Sequence, residues 1–160
     1  KMGYYGEYPP SYLDRLRTIF YEPYLDAEVL HVFAGTVPDN NPFGGIRVDL
    51  RQDMLTPDVR ANALALPFLS ARFKLLLYDP PYSRPDAVSY GTESDFPRSG
   101  PATIEAARVT QPGGFLVWLD TSKPMYQKRL WRLCGEIGIA RSTMHRVRFA
   151  FIFERTEEAV

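Results

Sequence analysis

The run Phe73 to Tyr78 is apolar at every position except Lys74 and passes directly into Asp79-Pro80-Pro81-Tyr82. A short apolar run of this kind reads as a strand buried on both faces, which implies a parallel strand in a covered sheet. Two prolines withhold two backbone donors and end the ladder, so the Asp79 carboxylate stands at the strand's carboxyl end. In open α/β sheets ligands bind outside the carboxyl ends of strands, which makes Asp79 to Tyr82 a candidate site. In isolation the same residues make a turn with an Asx-type start.

The segments on either side supply context. Val29 to Phe33 reads as a strand ending in Phe33-Ala34-Gly35, and Ile46 to Asp49 is a second apolar run that ends in an acid. Val59 to Leu64 and Leu66-Pro67-Phe68 follow, and beyond the candidate site come Ala106 to Val109, the turn Gln111-Pro112-Gly113-Gly114 and the apolar run Phe115 to Leu119. Strands separated by crossover-length connections predict an α/β fold.

In this order, Phe33/Gly35, Asp49, Asn62 and Asp79 to Tyr82 resemble the motifs of the S-adenosylmethionine-dependent DNA amino-methyltransferases, especially the adenine-specific ones. The resemblance runs from about residue 8 to residue 155. It implies a Rossmann-like class I methyltransferase sheet, mostly parallel with a closing antiparallel hairpin, and S-adenosylmethionine as the cofactor. Phe33, Ala34 and Gly35 would then face the methionine part of the cofactor, Asp49 its ribose hydroxyls, and Asn62 and Ala63 its adenine, with Asp79 also among the cofactor contacts; the family usually has Asp in place of Asn62. Tyr8 belongs to an amino-terminal segment, 1–24, that covers the cofactor in many members, although aromatics before a helix also simply pack against the sheet.

The chemistry gives the motif its use. An exocyclic amino nitrogen of adenine is a poor nucleophile because its lone pair is delocalised into the ring. Two acceptors, the Asp79 carboxylate and the Pro80 carbonyl held by Pro81, would take the amino hydrogens and localise that pair, while Tyr82 stacks on a flipped base. Rate would come chiefly from positioning, with no metal required. The same acceptors serve amino groups in RNA or elsewhere, and a non-catalytic member of the fold is a third reading.

Two departures concern the cofactor motif. Val37 and Pro38 stand where the family has a second glycine, and a valine side chain there threatens close approach of a ligand. His31 stands where an acid is expected, and a lone histidine in an apolar strand reads as a core residue without a metal partner.

Size and composition bound the rest. At 160 residues with 45% hydrophobic content the chain predicts one domain, 1–160, without a separate target-recognition domain. Target choice would fall to loops or to a specificity-giving protein partner. The single Cys134 excludes an internal disulfide, and with no signal-like or membrane-spanning run the expectation is a cytoplasmic protein without a membrane partner. Net charge is zero, yet Lys123 to Arg155 holds eight basic and two acidic residues, whereas Lys1 to Asn62 holds six basic and nine acidic. A basic carboxyl-terminal third, with Lys123, fits phosphate contact with nucleic acid, DNA first, although charges on a helix normally face water; Arg84 and Arg98, in the loop after the candidate site, are further phosphate candidates.

The remaining elements follow from periodicity. Pro10 to Tyr21 predicts a helix with Leu13, Leu16, Ile19 and Phe20 inward and Ser11 as N-cap. Ala34 to Gly45 is too rich in Pro, Asn and Gly for the usual crossover helix, and Arg51 to Asp58 is short and carries Pro57, which leaves little room for a second. Tyr82 to Pro101 reads as a loop. Met125 to Ile137 predicts a helix with Leu130, Leu133 and Cys134 inward and Gly138 as its stop, Arg146 to Arg155 a closing strand, and Thr156 to Val160 a disordered tail.

Overall fold

The computed structural model describes residues 8–50, 57–82, 85, 99–141 and 144–158. Seven strands form one sheet in the order β3-β2-β1-β4-β5-β7-β6. They are β1 (Val29–Val32), β2 (Ile46–Asp49), β3 (Val59–Arg60), β4 (Phe73–Tyr78), β5 (Thr110–Asp120), β6 (Trp131–Arg141) and β7 (Met144–Arg155). β3, β2, β1, β4 and β5 are parallel, and β7 is antiparallel to both β5 and β6. The chain leaves β1 for one edge and returns at β4 for the other, so the carboxyl ends of β1 and β4 meet at a topological switch point.

The α-helices α1 (Tyr12–Ile19) and α2 (Ser99–Val109) and a short 3-10 helix, Asp26–Glu28, accompany the sheet. Side chains alternate across the strands. Leu30, Val32, Leu76, Tyr78 and Trp118 pack with Ala102, Ala106 and Val109 of α2, while Val29, Leu75, Leu77 and Val117 pack with Leu13 and Leu16 of α1. No helix among the described residues is long and apolar enough to cross a membrane.

The first crossover holds no helix, as its composition predicts. Instead three turns follow one another, closed by Val37 N–H to Ala34 O at 2.9 Å, Asn41 N–H to Pro38 O at 3.2 Å and Gly44 N–H to Asn41 O at 3.1 Å. Asn41 ties them together: its amide donates to the carbonyls of Pro38 and Gly44 at 3.0 Å, and its Oδ1 accepts from Phe43 N–H at 3.0 Å. Val37 and Phe43 are buried plugs that do the work of a helix face. Gly44 has φ +61°, and a Cβ there would collide with the Asp26 carboxylate, so the return into β2 requires glycine.

Several expectations are corrected. The helix predicted over Met125 to Ile137 is replaced by β6, whose pairing with β7 shifts register between Leu133 and Gly135. Such a bulge turns alternate side chains to opposite faces: Trp131 and Leu133 join the core on the α2 side, whereas Ile137 and Ile139 pack on the α1 side. Cys134, at the bulge, is exposed rather than inward, and Gly138 lies within the strand rather than ending a helix. Of the four residues expected inward at α1, Leu13, Leu16 and Phe20, the last just past the helix end, are buried, but Ile19 is 46% exposed. Ser11 occupies the N-cap position with φ 58° but makes no capping bond through its side chain. Ser99 to Pro101 open α2 rather than close a loop. Thr156 is held, not loose, by its N–H to Leu130 O at 3.0 Å.

Candidate active site

The backbone at the switch point is tightly joined. Asp79 N–H donates to Val32 O at 3.4 Å, so β4 is still paired with β1 where the Asp-Pro-Pro-Tyr turn begins. β1 itself stops one residue earlier than predicted, because Phe33 adopts φ 59°, a left-handed conformation uncommon outside glycine. Gly35 follows with φ 50°, within the turn from Ala34 to Val37. Its N–H donates to Asp49 Oδ2 at 2.9 Å, which joins the ends of β1 and β2. Phe33 packs edge-on against Tyr78, with ring centroids 5.8 Å apart. The Val37 side chain is buried in the core under α1, so it does not crowd the turn as the sequence suggested.

Asn62 starts a turn of its own. Its Oδ1 accepts from Leu64 N–H at 2.9 Å, and Ala63 behind it is buried. The segment is fixed from α2: Glu105 Oε1 accepts from Leu66 N–H at 2.7 Å, and Arg108 donates to the carbonyls of Leu66 and Phe68 at 2.9 and 2.8 Å. Glu105 and Arg108 are themselves paired at 2.7 Å.

Asp79 is the electrostatic centre. Burial pushes its carboxyl up to about 7, with a smaller push from Asp120, opposed by the Tyr82 hydroxyl and the charge of Arg148. Tyr82 Oη donates to Asp79 Oδ1 at 2.6 Å. Arg148 on β7 donates to Tyr82 Oη at 3.0 Å, and its guanidinium carbon lies 5.5 Å from the centre of the Tyr82 ring. Arg148 was not singled out as a site residue from the sequence, where it is one of several basic residues of the carboxyl-terminal third.

Tyr8 and Tyr12 close the site from the amino-terminal side, stacked with centroids 5.2 Å apart. Burial, and then the charge of Asp79, hold both phenols well above their ordinary range. The Tyr8 hydroxyl is buried with no hydrogen-bond partner among the described residues. At the end of β5, Asp120 accepts from the N–H of Thr121 at 2.6 Å and from Trp118 Nε1 at 3.3 Å, yet burial still raises its carboxyl. His31 is a core histidine: its Nε2 meets Gly44 O at 2.8 Å, and burial lowers it to about 4.

The structure thus brings together Tyr8, Phe33, Ala34, Gly35, Asp49, Asp79, Pro80, Pro81 and Tyr82 around adjoining strand ends, with Asn62 and Ala63 after β3. Lys123 lies after β5 in an ion pair with Glu136 at 2.9 Å. Arg84 and Arg98 lie outside the described residues, as do the tyrosines at positions 4 and 5.

The sheet order, the helix-poor faces and the closing antiparallel strand pair define a class I methyltransferase fold. No protein-family model and no curated protein matches the sequence. Among solved structures the chain is similar to TrmN from Thermus thermophilus, at 15% identity and a TM-score of 0.62, over 89% of this chain and 48% of that one. It therefore spans about half the length of TrmN. It is also similar to the 1,6-didemethyltoxoflavin-N1-methyltransferase of Burkholderia thailandensis, solved with 1,6-didemethyltoxoflavin and S-adenosylhomocysteine, at 16% identity and a TM-score of 0.60 over 90% and 76% of the two chains. A third is a SAM-dependent methyltransferase from Aquifex aeolicus, at 10% identity and a TM-score of 0.55 over 92% and 94%.

Proposed function

We propose that this domain transfers a methyl group from S-adenosylmethionine to an exocyclic amino nitrogen, with adenine in DNA as the target. The observation that carries the reading is a half-buried carboxylate, Asp79, beside the Pro80-Pro81 turn at the switch point of a class I methyltransferase sheet.

The residues present fit the cofactor. Asp49 is held by the Gly35 amide and would meet ribose hydroxyls, Asn62 and Ala63 would flank adenine, Phe33 to Gly35 would line the methionine part, and the unpartnered Tyr8 hydroxyl offers a donor beside Asp79. The turning of Val37 into the core removes the obstacle raised by the missing second glycine. When bound, S-adenosylmethionine supplies an electrophilic methyl group on sulfur.

The chain's own part is to prepare the nitrogen. Ionised Asp79 and the Pro80 carbonyl accept the two amino hydrogens and direct the nitrogen lone pair out of the ring plane. A carboxyl lifted to about 7 is also well matched to receive the proton that the nitrogen releases. Tyr82 provides the stacking surface.

A second reading, an amino group in RNA or another planar acceptor, draws on the basic carboxyl-terminal third. Lys123 pairs with Glu136, Arg132 with Glu154, and Arg155 is buried against carbonyls, so fewer of these cations are available to a duplex. Target choice is left to loops or to a protein partner. The test is incubation with methyl-labelled S-adenosylmethionine and duplex DNA, single-stranded DNA or RNA, followed by nucleoside analysis. N6-methyladenine in DNA supports the first reading and label confined to RNA the second; no label in any substrate, with the cofactor bound, overturns both.

A further inference from the structure

We infer that Arg148 is the positioning residue of this site: from the closing strand it holds one face of the Tyr82 ring and keeps the Tyr82 hydroxyl on Asp79, so that ring and carboxylate are presented to a substrate in one fixed arrangement. The meaning for a substrate rests on the amino-methyltransferase reading; the relay itself does not.

The direction of the relay follows from donor chemistry. A guanidinium can only donate, so the 3.0 Å contact from Arg148 uses a lone pair of Tyr82 Oη and leaves the phenolic hydrogen for Asp79 Oδ1 at 2.6 Å. Each bond polarises the next, which strengthens both. The same guanidinium lies 5.5 Å from the Tyr82 ring centre, a cation–π distance, so one ring face is covered and a planar acceptor can stack on the other. The Tyr82 hydroxyl thereby takes one of the carboxylate's acceptor sites and fixes its orientation, leaving others for an amino hydrogen.

The groups facing Asp79 come from every element around it: Tyr8 and Tyr12 from the amino-terminal side, Tyr82 from its own turn, Asp120 from β5 and Arg148 from β7. Arg148 supplies the positive charge in that set. It reaches β5's end because Phe149, its neighbour, pairs with Asp120 across the β5–β7 ladder. A structural arginine would influence stability alone, whereas this one sets both the position of a ring and the ionisation of an acid.

The experiment is a carbon-detected NMR titration of the Asp79 carboxyl in the full chain, which needs neither cofactor nor substrate. Failure of the methyl-transfer reading would therefore leave this test untouched. Arg148→Met is expected to move the Asp79 midpoint upward by on the order of one pH unit. Arg148→Lys should restore most of that shift, because charge is kept, yet still displace the Tyr82 ring resonances. Tyr82→Phe should also raise the midpoint, and the double variant Tyr82→Phe/Arg148→Met should shift less than the sum, since both cut one relay. Should Arg148→Met not fold, Arg148→Gln, which removes the charge and keeps a polar side chain, takes its place alone and combined with Tyr82→Phe. An unchanged midpoint in Arg148→Met, or strictly additive shifts, would overturn the inference.

Discussion

The hydroxyl of Tyr82 donates to the carboxylate of Asp79 at 2.6 Å, across the two prolines that separate them. The rigid turn thus folds its own aromatic residue back onto its own acid. If Asp79 is the amino-group acceptor, Asp79→Ala should lower methyl transfer by roughly 10²–10³-fold or more while leaving cofactor affinity within a few-fold. Single-turnover transfer of labelled methyl, alongside a cofactor titration of the variant, checks this. Wild-type activity in Asp79→Ala would remove the mechanism.

The charge state of Asp79 makes transfer pH-dependent. The ionised carboxylate offers only acceptor oxygens to the amino hydrogens and can take up the released proton, whereas protonated Asp79 is a weaker acceptor that already carries that proton. Transfer should rise with pH through about 7 and level off above it, and the rising limb should vanish in any residual activity of Asp79→Asn. A rate profile from pH 5.5 to 9 measures the limb.

Stability carries two opposed dependences. Asp79 has a folded value of about 7 against an ordinary 3.8, so the stability it favours is present at low pH and is lost as pH rises toward 7. His31 has a folded value of about 4 against an ordinary 6.5, so its contribution is present above 6.5 and is lost as pH falls toward 4. The ceiling is about 4 kcal/mol for Asp79 and about 3 kcal/mol for His31. In the wild type they offset between pH 4 and 7. Denaturant unfolding should therefore show Asp79→Asn losing stability on acidification and His31→Gln gaining it; the same slope in both variants would contradict these assignments.

Arg155 is buried and bonds to carbonyls: Ala107 O at 2.9 Å, near the end of α2, Thr156 O at 2.7 Å and Leu130 O at 3.4 Å. Its charge suits the negative end of a helix. Arg155→Met keeps the apolar stem but strands those acceptors, at a cost of about 3 kcal/mol, or roughly 6–12 °C in Tm for a chain of this size. A melting curve within about 2 °C of wild type would show that water replaces the guanidinium without penalty.

Where the sequence was legible, the signal was local. Ile46–Asp49 and Phe73–Tyr78 match their apolar runs residue for residue, and the helix-free first crossover follows from Pro38, Asn40, Asn41 and Pro42. β6 was misread because the bulge at Cys134 changes the phase of its alternation. Leu130, Leu133 and Cys134 then mimic helical spacing, although Gly135 and Gly138 are poor helix residues and the strand draws its stability from β7. The motif residues Asp49 and Asp79 could be found from the runs they end. Arg148 could not, because its place opposite the end of β5 depends on the register of a long-range antiparallel pair.

The central claim is that these strand ends bind S-adenosylmethionine, and calorimetric titration of the chain beside Asp49→Ala tests it most directly. Asp49 would meet the ribose and also holds the Gly35 turn at 2.9 Å. The account predicts saturable one-to-one binding that Asp49→Ala weakens by roughly ten-fold or more. No binding up to millimolar cofactor, or equal affinity in both proteins, would contradict it.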